Sequence, residues 1–243
     1  MAKKSKSWKR VLVNLLILVL FLVGLILVFN KPIRNWLIGR NTAHYQINNV
    51  TRETIKENKE VKGNFDFDSV ESISFEQVVR NQLNRQPMPV IGGIAIPDVG
   101  INLPIFKGLA NENLAFGAGT MKEEQVMGQG NYALASHNVT GFSSDVSLLF
   151  TPLERAKEGM VIYVTDKNNI YQYRINKISV VSPEHSEVID DTPGKTEITL
   201  VTCADPEAVN RIIVHGTFEK KVAYDAATQE MKSAFDRSYN QVL

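Results

Sequence analysis

At 243 residues the chain is long enough for one well-cored domain and an appendage. Hydrophobic residues make up 44% and charged residues 22%, ordinary for a globular protein, so wholesale disorder is excluded. The 27 Lys+Arg against 26 Asp+Glu give a net charge of +1, too little for a global basic field, and no nucleic-acid partner is expected.

In chain order, Lys3, Lys4, Lys6, Lys9 and Arg10 precede an uncharged apolar run, Val11 to Phe29. As a helix that run reaches about 28 Å, close to the hydrocarbon thickness of a bilayer. It is too long for a cleavable signal, and no small-residue cleavage pattern follows. A retained single-pass anchor is expected over 11–29. The excess of Lys and Arg on its N-terminal side puts residues 1–10 in the cytoplasm and everything after Lys31 outside the cell membrane. Trp8 and Trp36 flank the run as interfacial anchors do. Residues 30–74 read as an extracytoplasmic spacer, polar and charge-rich from Asn41 to Phe65, and helical or partly disordered. Phe75, Val78, Val79 and Leu83 keep helical spacing, so the pattern predicts a short amphipathic helix over Ser74 to Asn84, with Ser74 its cap. Gln86-Pro87-Met88-Pro89 closes it.

From Val90 the texture changes to short runs rich in Val, Ile, Thr, Tyr and Phe. Strands are predicted at Val90–Ile96, Ile101–Phe106, Asn131–Ala135, Met160–Thr165, Ile170–Val181, Glu197–Cys203 and Arg211–Lys220. Gly117 to Gly119 and Gly128 to Gly130 read as turns, and Asp166 to Asn169 as a hairpin. A helical turn is expected over Ser147 to Leu153, and a C-terminal helix over Tyr224 to Tyr239. Many short strands with little helix point to a closed β-barrel or a sandwich, with one domain over 75–225 and a C-terminal helix or tail over 226–243.

Cys203 is the one cysteine, so no intramolecular disulfide can form and a free thiol stands outside the membrane. It ends a predicted strand, where rigid backbone can hold a side chain beside a loop. A lone cysteine also fits a buried core position. A nucleophilic thiol, mostly protonated at neutral pH, needs a base or cation beside it. Four histidines compete. His44 lies in the spacer and His185 in a Ser-Pro-Glu-His-Ser loop, whereas His137 ends a strand as Cys203 does. His215 lies inside the last strand, about 13 Å along it from Arg211. Should the loop 204–210 return the chain beside Cys203, Arg211 stands level with the thiol, and His215 is then too far away to be its base.

Thr199-Leu200-Val201-Thr202-Cys203, with Arg211 eight positions on, resembles the cysteine/arginine signature of sortases. Leu134-Ala135-Ser136-His137 resembles the histidine signature of their class A, streptococcal-type members. The order of tail, anchor, spacer and β-rich domain is similar too. The resemblance implies an all-β fold, a closed eight-stranded sortase-type barrel with short helices behind one transmembrane helix. It implies a cysteine transpeptidase that cuts the Leu-Pro-X-Thr-Gly (LPXTG) motif of surface proteins between Thr and Gly through a thioester. The surface protein then passes to a peptidoglycan amine, that of lipid II. In that scheme Cys203 is the nucleophile, His137 the acid/base and Arg211 the oxyanion clamp. Thr202, Ser136 and Ala135 contact substrate, the loop Ser182 to Thr196 recognises Leu-Pro, and Ala204 to Asn210 shapes the primed side.

Two departures stand out. Some relatives carry a second histidine after the catalytic one, where this chain has Asn138. Calcium-activated members use acidic residues near the specificity loop; Glu184, Glu187, Asp190 and Asp191 supply charge here, but their partners in the earlier loop find no match. Neither a metal nor another cofactor is expected. A surface cysteine protease with the same three residues, and a non-catalytic anchored binding module, are the alternative readings.

Overall fold

The computed structural model describes residues 4–83, 88–139, 148–205 and 209–236. Eight strands close into a barrel: β1 (Val90–Ile96), β2 (Ile101–Phe106), β3 (Ala118–Thr120), β4 (Asn131–Ala135), β5 (Val161–Thr165), β6 (Asn169–Val181), β7 (Glu197–Cys203) and β8 (Arg211–Ala223). Their order around the barrel is β1-β2-β3-β4-β7-β8-β6-β5, with β5 returning to β1. Closure leaves no free sheet edge. Four strand ranges are the predicted ones to the residue, and three differ by one to three residues at an end. β3 was not expected. Its first two residues, Ala118 and Gly119, lie in the run read as a turn, yet the strand pairs in parallel with β2 and antiparallel with β4.

Alternation along the strands separates two apolar clusters. Ile198 and Leu200 of β7, Ile212 and Val214 of β8, and Tyr132 and Leu134 of β4 point into the barrel, where Phe106, Phe150 and Tyr173 are fully buried. Ala133, Val201 and Ile213 point outward instead, into a smaller cluster with Leu109, Leu114, Met121 and Ile189. That second cluster floors the outer face of β4, β7 and β8 beneath the segment linking β6 to β7.

The helices among the described residues are α1 (Lys4–Val28), α2 (Asn30–His44), α3 (Arg52–Lys59), α4 (Phe75–Leu83), α5 (Asn111–Phe116) and α6 (Gln229–Ser233). Over Trp8–Val28 helix α1 is long and apolar enough to cross a membrane, and that stretch is not buried against the rest of the protein. The Ser74 hydroxyl caps α4 by accepting from the Gln77 N–H at 3.1 Å, as expected. The segment expected to be a spacer is packed on the barrel. Ile38, Ile47 and Ile55 are at most 1% exposed and belong to the barrel's own core cluster. Gln46 donates to the Asn102 carbonyl at 2.9 Å and Asn58 to the Val90 carbonyl at 2.8 Å.

The hairpin at Asp166 forms, with the Asp166 carboxylate accepting from the Asn168 and Asn169 N–H groups. The helical turn near Pro152 runs Thr151–Arg155 as a 3-10 helix. Where one C-terminal helix was expected, a 3-10 turn at Tyr224–Ala226 precedes the short α6. Asn84, Ser147 and residues 237–239 of the expected helices lie outside the described residues.

Candidate active site

Register sets the site. In the parallel β4–β7 pair, Ala135 stands opposite Val201. The ladder continues past the end of β4, with the Ser136 N–H donating to the Val201 carbonyl at 3.2 Å and the Thr202 hydroxyl to the Ser136 carbonyl at 2.8 Å. Two residues on from the Ala135–Val201 pair, His137 is level with Cys203. In the antiparallel β7–β8 pair Cys203 stands directly opposite Arg211. His137, Cys203 and Arg211 therefore form one row across three neighbouring strands, spaced by about 4.8 Å per strand. All three carry the outward parity of Ala133, Val201 and Ile213, so they border the outer cluster and not the barrel interior.

The turn that returns the chain to Arg211 is held locally. The Ala204 N–H donates to the Asn210 carbonyl at 2.9 Å, and the Asp205 carboxylate accepts from the N–H groups of Val209 at 2.7 Å and Asn210 at 3.0 Å. Residues 206–208 of this loop lie outside the described residues. The Arg211 guanidinium donates to the Asn210 carbonyl at 3.2 Å.

Burial is the main electrostatic fact at the site. His137 is 7% exposed and its Nε2 has no hydrogen-bond partner among the described residues. Burial, reinforced by the nearby charge of Arg34, pushes its imidazole down to about 4. Burial pushes the half-buried Cys203 thiol up; the Arg211 guanidinium opposes that shift and Asp205 adds to it. At neutral pH the resting pair is thus a thiol beside a neutral imidazole.

Among the expected substrate contacts, Ala135 is half-buried on the outer face beside Val201. Thr202 and Ser136 face inward. They are 2% and 6% exposed, and their hydroxyls are committed to the carbonyls of Ser136 and Gly117. Their side chains do not reach the outer face, because each neighbours an outward residue in an extended chain. His215 stands opposite Thr199, four residues from Arg211 along β8. Its Nδ1 lies 3.1 Å from the Thr199 hydroxyl, away from the row.

Two contributions escaped sequence reasoning. Asn138 donates from Nδ2 to the Cys203 carbonyl at 2.9 Å and to Glu154 at 2.7 Å, tying the end of the histidine strand to that of the cysteine strand. The segment over the outer cluster is clamped at Asp191, which accepts from Lys122 at 2.6 Å and from the Asn131 N–H at 2.7 Å. The Asn131 side chain in turn donates to the Val188 and Asp190 carbonyls, both at 3.2 Å. Gly130 has φ +52°, and a Cβ there would stand 2.7 Å from an Asp191 oxygen, so the clamp needs glycine at that position. Lys122 and Asp191 are far apart in the chain, and nothing local pairs them.

Comparison with known proteins agrees with this architecture. The family described as the sortase domain matches residues 94–219, from β1 to β8. The chain is 57% identical over 229 residues to Sortase A of Streptococcus agalactiae, covering 94% of this chain and 93% of that one. It is 36% identical over 219 residues to Sortase A of Listeria monocytogenes, covering 90% and 95%. The solved structure of Listeria monocytogenes sortase A superposes with a TM-score of 0.54 at 39% identity, over 60% of this chain and 96% of that one. The apolar α1 fits a single-pass membrane protein. A closed barrel of eight strands, a family match spanning it, and near full-length identity to Sortase A proteins make this chain a member of the sortase family of transpeptidase enzymes, in its class A.

Proposed function

We propose that this enzyme cuts the LPXTG motif of surface proteins between Thr and Gly and joins the new C-terminus to the amine of lipid II, the peptidoglycan precursor, outside the membrane. The observation that carries this reading is the level row of His137, Cys203 and Arg211 on the outer face of β4, β7 and β8. The Cys203 proton passes to His137, and the thiolate sulfur attacks the Thr carbonyl carbon. The Thr–Gly C–N bond breaks as the His137 imidazolium protonates the departing glycine amine, leaving a thioester on Cys203. The neutral imidazole then takes a proton from the incoming amine, which attacks the thioester carbonyl and releases the sulfur. Arg211 faces the oxygen on which negative charge develops. Ala135 contacts the peptide on the outer face, while Thr202 and Ser136 hold the two strand ends together from behind. Residues 1–10 are assigned to the cytoplasm and 75–225 to the catalytic unit.

The test is incubation of the detergent-solubilised full chain with an LPXTG peptide and an amine. The expected product is the peptide–amine conjugate, with a thioester on Cys203 trapped and located by mass spectrometry. Hydrolysis dominating at saturating amine would overturn the transfer step in favour of a protease.

Two further results are expected. Arg211→Lys keeps the charge but loses the planar donor fork, and kcat/KM should fall about 100-fold with stability unchanged. Asp191→Ala removes the partner of Lys122 and of the Asn131 N–H. The 182–196 segment should then exchange its amide hydrogens faster and KM for the peptide should rise several-fold, with a smaller change in kcat.

A further inference from the structure

The hydrogen-bond ladder beside the catalytic row ends in a side chain. In the parallel β4–β7 pair the Ser136 N–H donates to the Val201 carbonyl at 3.2 Å. Donors and acceptors in such a pair recur every second residue, so the next rung calls for the backbone N–H of residue 138 on the Cys203 carbonyl. Among the described residues that backbone bond is not formed. Past Ser136 the chain turns to a new neighbour. The His137 carbonyl accepts from the Phe150 N–H at 3.1 Å, and the Val139 N–H donates to the Thr151 hydroxyl at 2.7 Å. Asn138 itself bridges to Leu149, which takes φ +52°, a region that leucine seldom occupies. What meets the Cys203 carbonyl is the Asn138 carboxamide, whose Nδ2 donates to it at 2.9 Å.

The register of β7 on β8 gives that carbonyl no donor from the other side. The Ala204 N–H donates to the Asn210 carbonyl at 2.9 Å and the Phe218 N–H to the Thr196 carbonyl at 3.0 Å, so the even-numbered residues of β7 form the hydrogen-bonded pairs. Cys203 and Arg211 are then a non-hydrogen-bonded pair, and the Cys203 carbonyl points away from β8, towards β4. The amide that meets it is itself aimed. Its nitrogen also donates to the Glu154 carboxylate at 2.7 Å. Glu154 stands in the 3-10 turn Thr151–Arg155, which is pinned by the buried Leu153 and by the Arg155 guanidinium on the Val99 carbonyl at 3.2 Å. The reversed amide would set Oδ1 against a carbonyl and a carboxylate, so the chemistry of the two acceptors fixes the orientation. Oδ1 is buried and has no partner among the described residues, so the nitrogen alone holds the amide.

We infer that Asn138 is a positioning residue: its carboxamide, aimed by Glu154, stands in for the absent ladder donor and holds Cys203 level with His137. The role rests on the acyl transfer proposed above. The Thr202 hydroxyl on the Ser136 carbonyl pins the two strands one residue before the reactive pair, and Asn138 pins them just after it. Without the amide, the end of β7 swings with the loop that leads to Arg211. The thiol then leaves the short range over which proton transfer to the imidazole and attack on a bound carbonyl both proceed. Peptide binding along the outer face is left as it was, so the loss belongs in kcat.

The test is a set of substitutions in the detergent-solubilised full chain, assayed with an LPXTG peptide and an amine. Asn138→Ala should lower kcat about 10- to 100-fold, with KM for the peptide within about twofold of the parent's. Glu154→Ala should lower kcat about threefold by loosening the amide, and its exposed side chain keeps the test open should Asn138→Ala not fold. Glu154→Gln retains an acceptor and should keep most of the parent's rate. The double variant should be no slower than Asn138→Ala alone, because Glu154 acts through Asn138. The single cysteine also reports the bond directly. Carbonyl labelling of cysteine with carbon-13 gives one resonance, which should move upfield in Asn138→Ala as the carbonyl loses its donor. A kcat for Asn138→Ala within about twofold of the parent, equal kcat for Glu154→Ala and the parent, or additive losses in the double variant overturns the positioning role. So does a carbonyl resonance that stays in place. A parent that joins no peptide to amine overturns the transfer chemistry instead, and the resonance still decides whether the amide holds Cys203.

Discussion

Replacing Cys203 by alanine is expected to lower kcat/KM for joining an LPXTG peptide to an amine by about 10⁴-fold or more, with the fold unchanged. The magnitude follows from the role: without the sulfur no acyl-enzyme forms, and His137 and Arg211 have no covalent step to assist. The fold should survive because the change is small and local. Cys203 is half-buried at the end of β7, its carbonyl keeps the Asn138 hydrogen bond, and its pairing with Arg211 is made by backbone. Loss of one sulfur at such a position costs about 1 kcal/mol, a shift in Tm of roughly 2–4 °C for a domain of this size. Calorimetry beside a mass-spectrometric product assay checks both halves. Turnover by the alanine variant within tenfold of the parent would remove Cys203 from the chemistry.

Acidification is expected to destabilise the protein through His137 specifically. An unfolded histidine titrates near 6.5, whereas burial holds the folded imidazole down to about 4. Above pH 6.5 both states leave it neutral and it contributes nothing to the pH dependence. As pH falls from 6.5 to 4 the unfolded chain takes up a proton that the folded protein refuses, so stability is progressively lost. The loss is complete below pH 4, at about 3 kcal/mol. A His137→Gln variant lacks that proton. Its Tm should therefore decline less than the parent's between pH 7 and pH 4, by roughly 6–12 °C. Carboxylates such as Asp191 and Glu219, which are held below their usual range by Lys122 and Arg174, lose stability with acid in both proteins and cancel in the comparison. Parallel Tm–pH curves would show that His137 is not buried neutral. The same burial governs rate: the acid limb of kcat/KM should lie below the usual histidine range, and the alkaline limb above the usual cysteine range.

The local parts of this account were written in neighbouring residues. The Ser74 cap and the strands Val90–Ile96, Ile101–Phe106, Asn131–Ala135 and Glu197–Cys203 each depend on periodicity or composition within a short stretch, and the structure repeats them; the apolar run read at 11–29 lies, but for Phe29, within the longer helix Lys4–Val28. Thr202, expected to contact substrate, faces inward instead, because alternation along β7 gives it the opposite parity to Cys203. Other features gave no local signal. β3 is three residues with a glycine at its centre, and it exists only because β2 and β4 flank it. Ile47 and Ile55 are widely spaced apolar residues in a polar run, so they read as spacer until the barrel side that buries them is present.

Sequence alone thus determined most of the strands, the cap of α4 and which residue types carry reactive groups, because those follow from forces between chain neighbours. Tertiary structure decided which of those groups meet. The level of His137 with Cys203 rests on a strand contact between residues 66 positions apart, and the Lys122–Asp191 clamp on one 69 apart. Barrel closure sets such registers, and it sums hydrogen bonds and burial over all eight strands, a quantity that no short stretch of the chain contains.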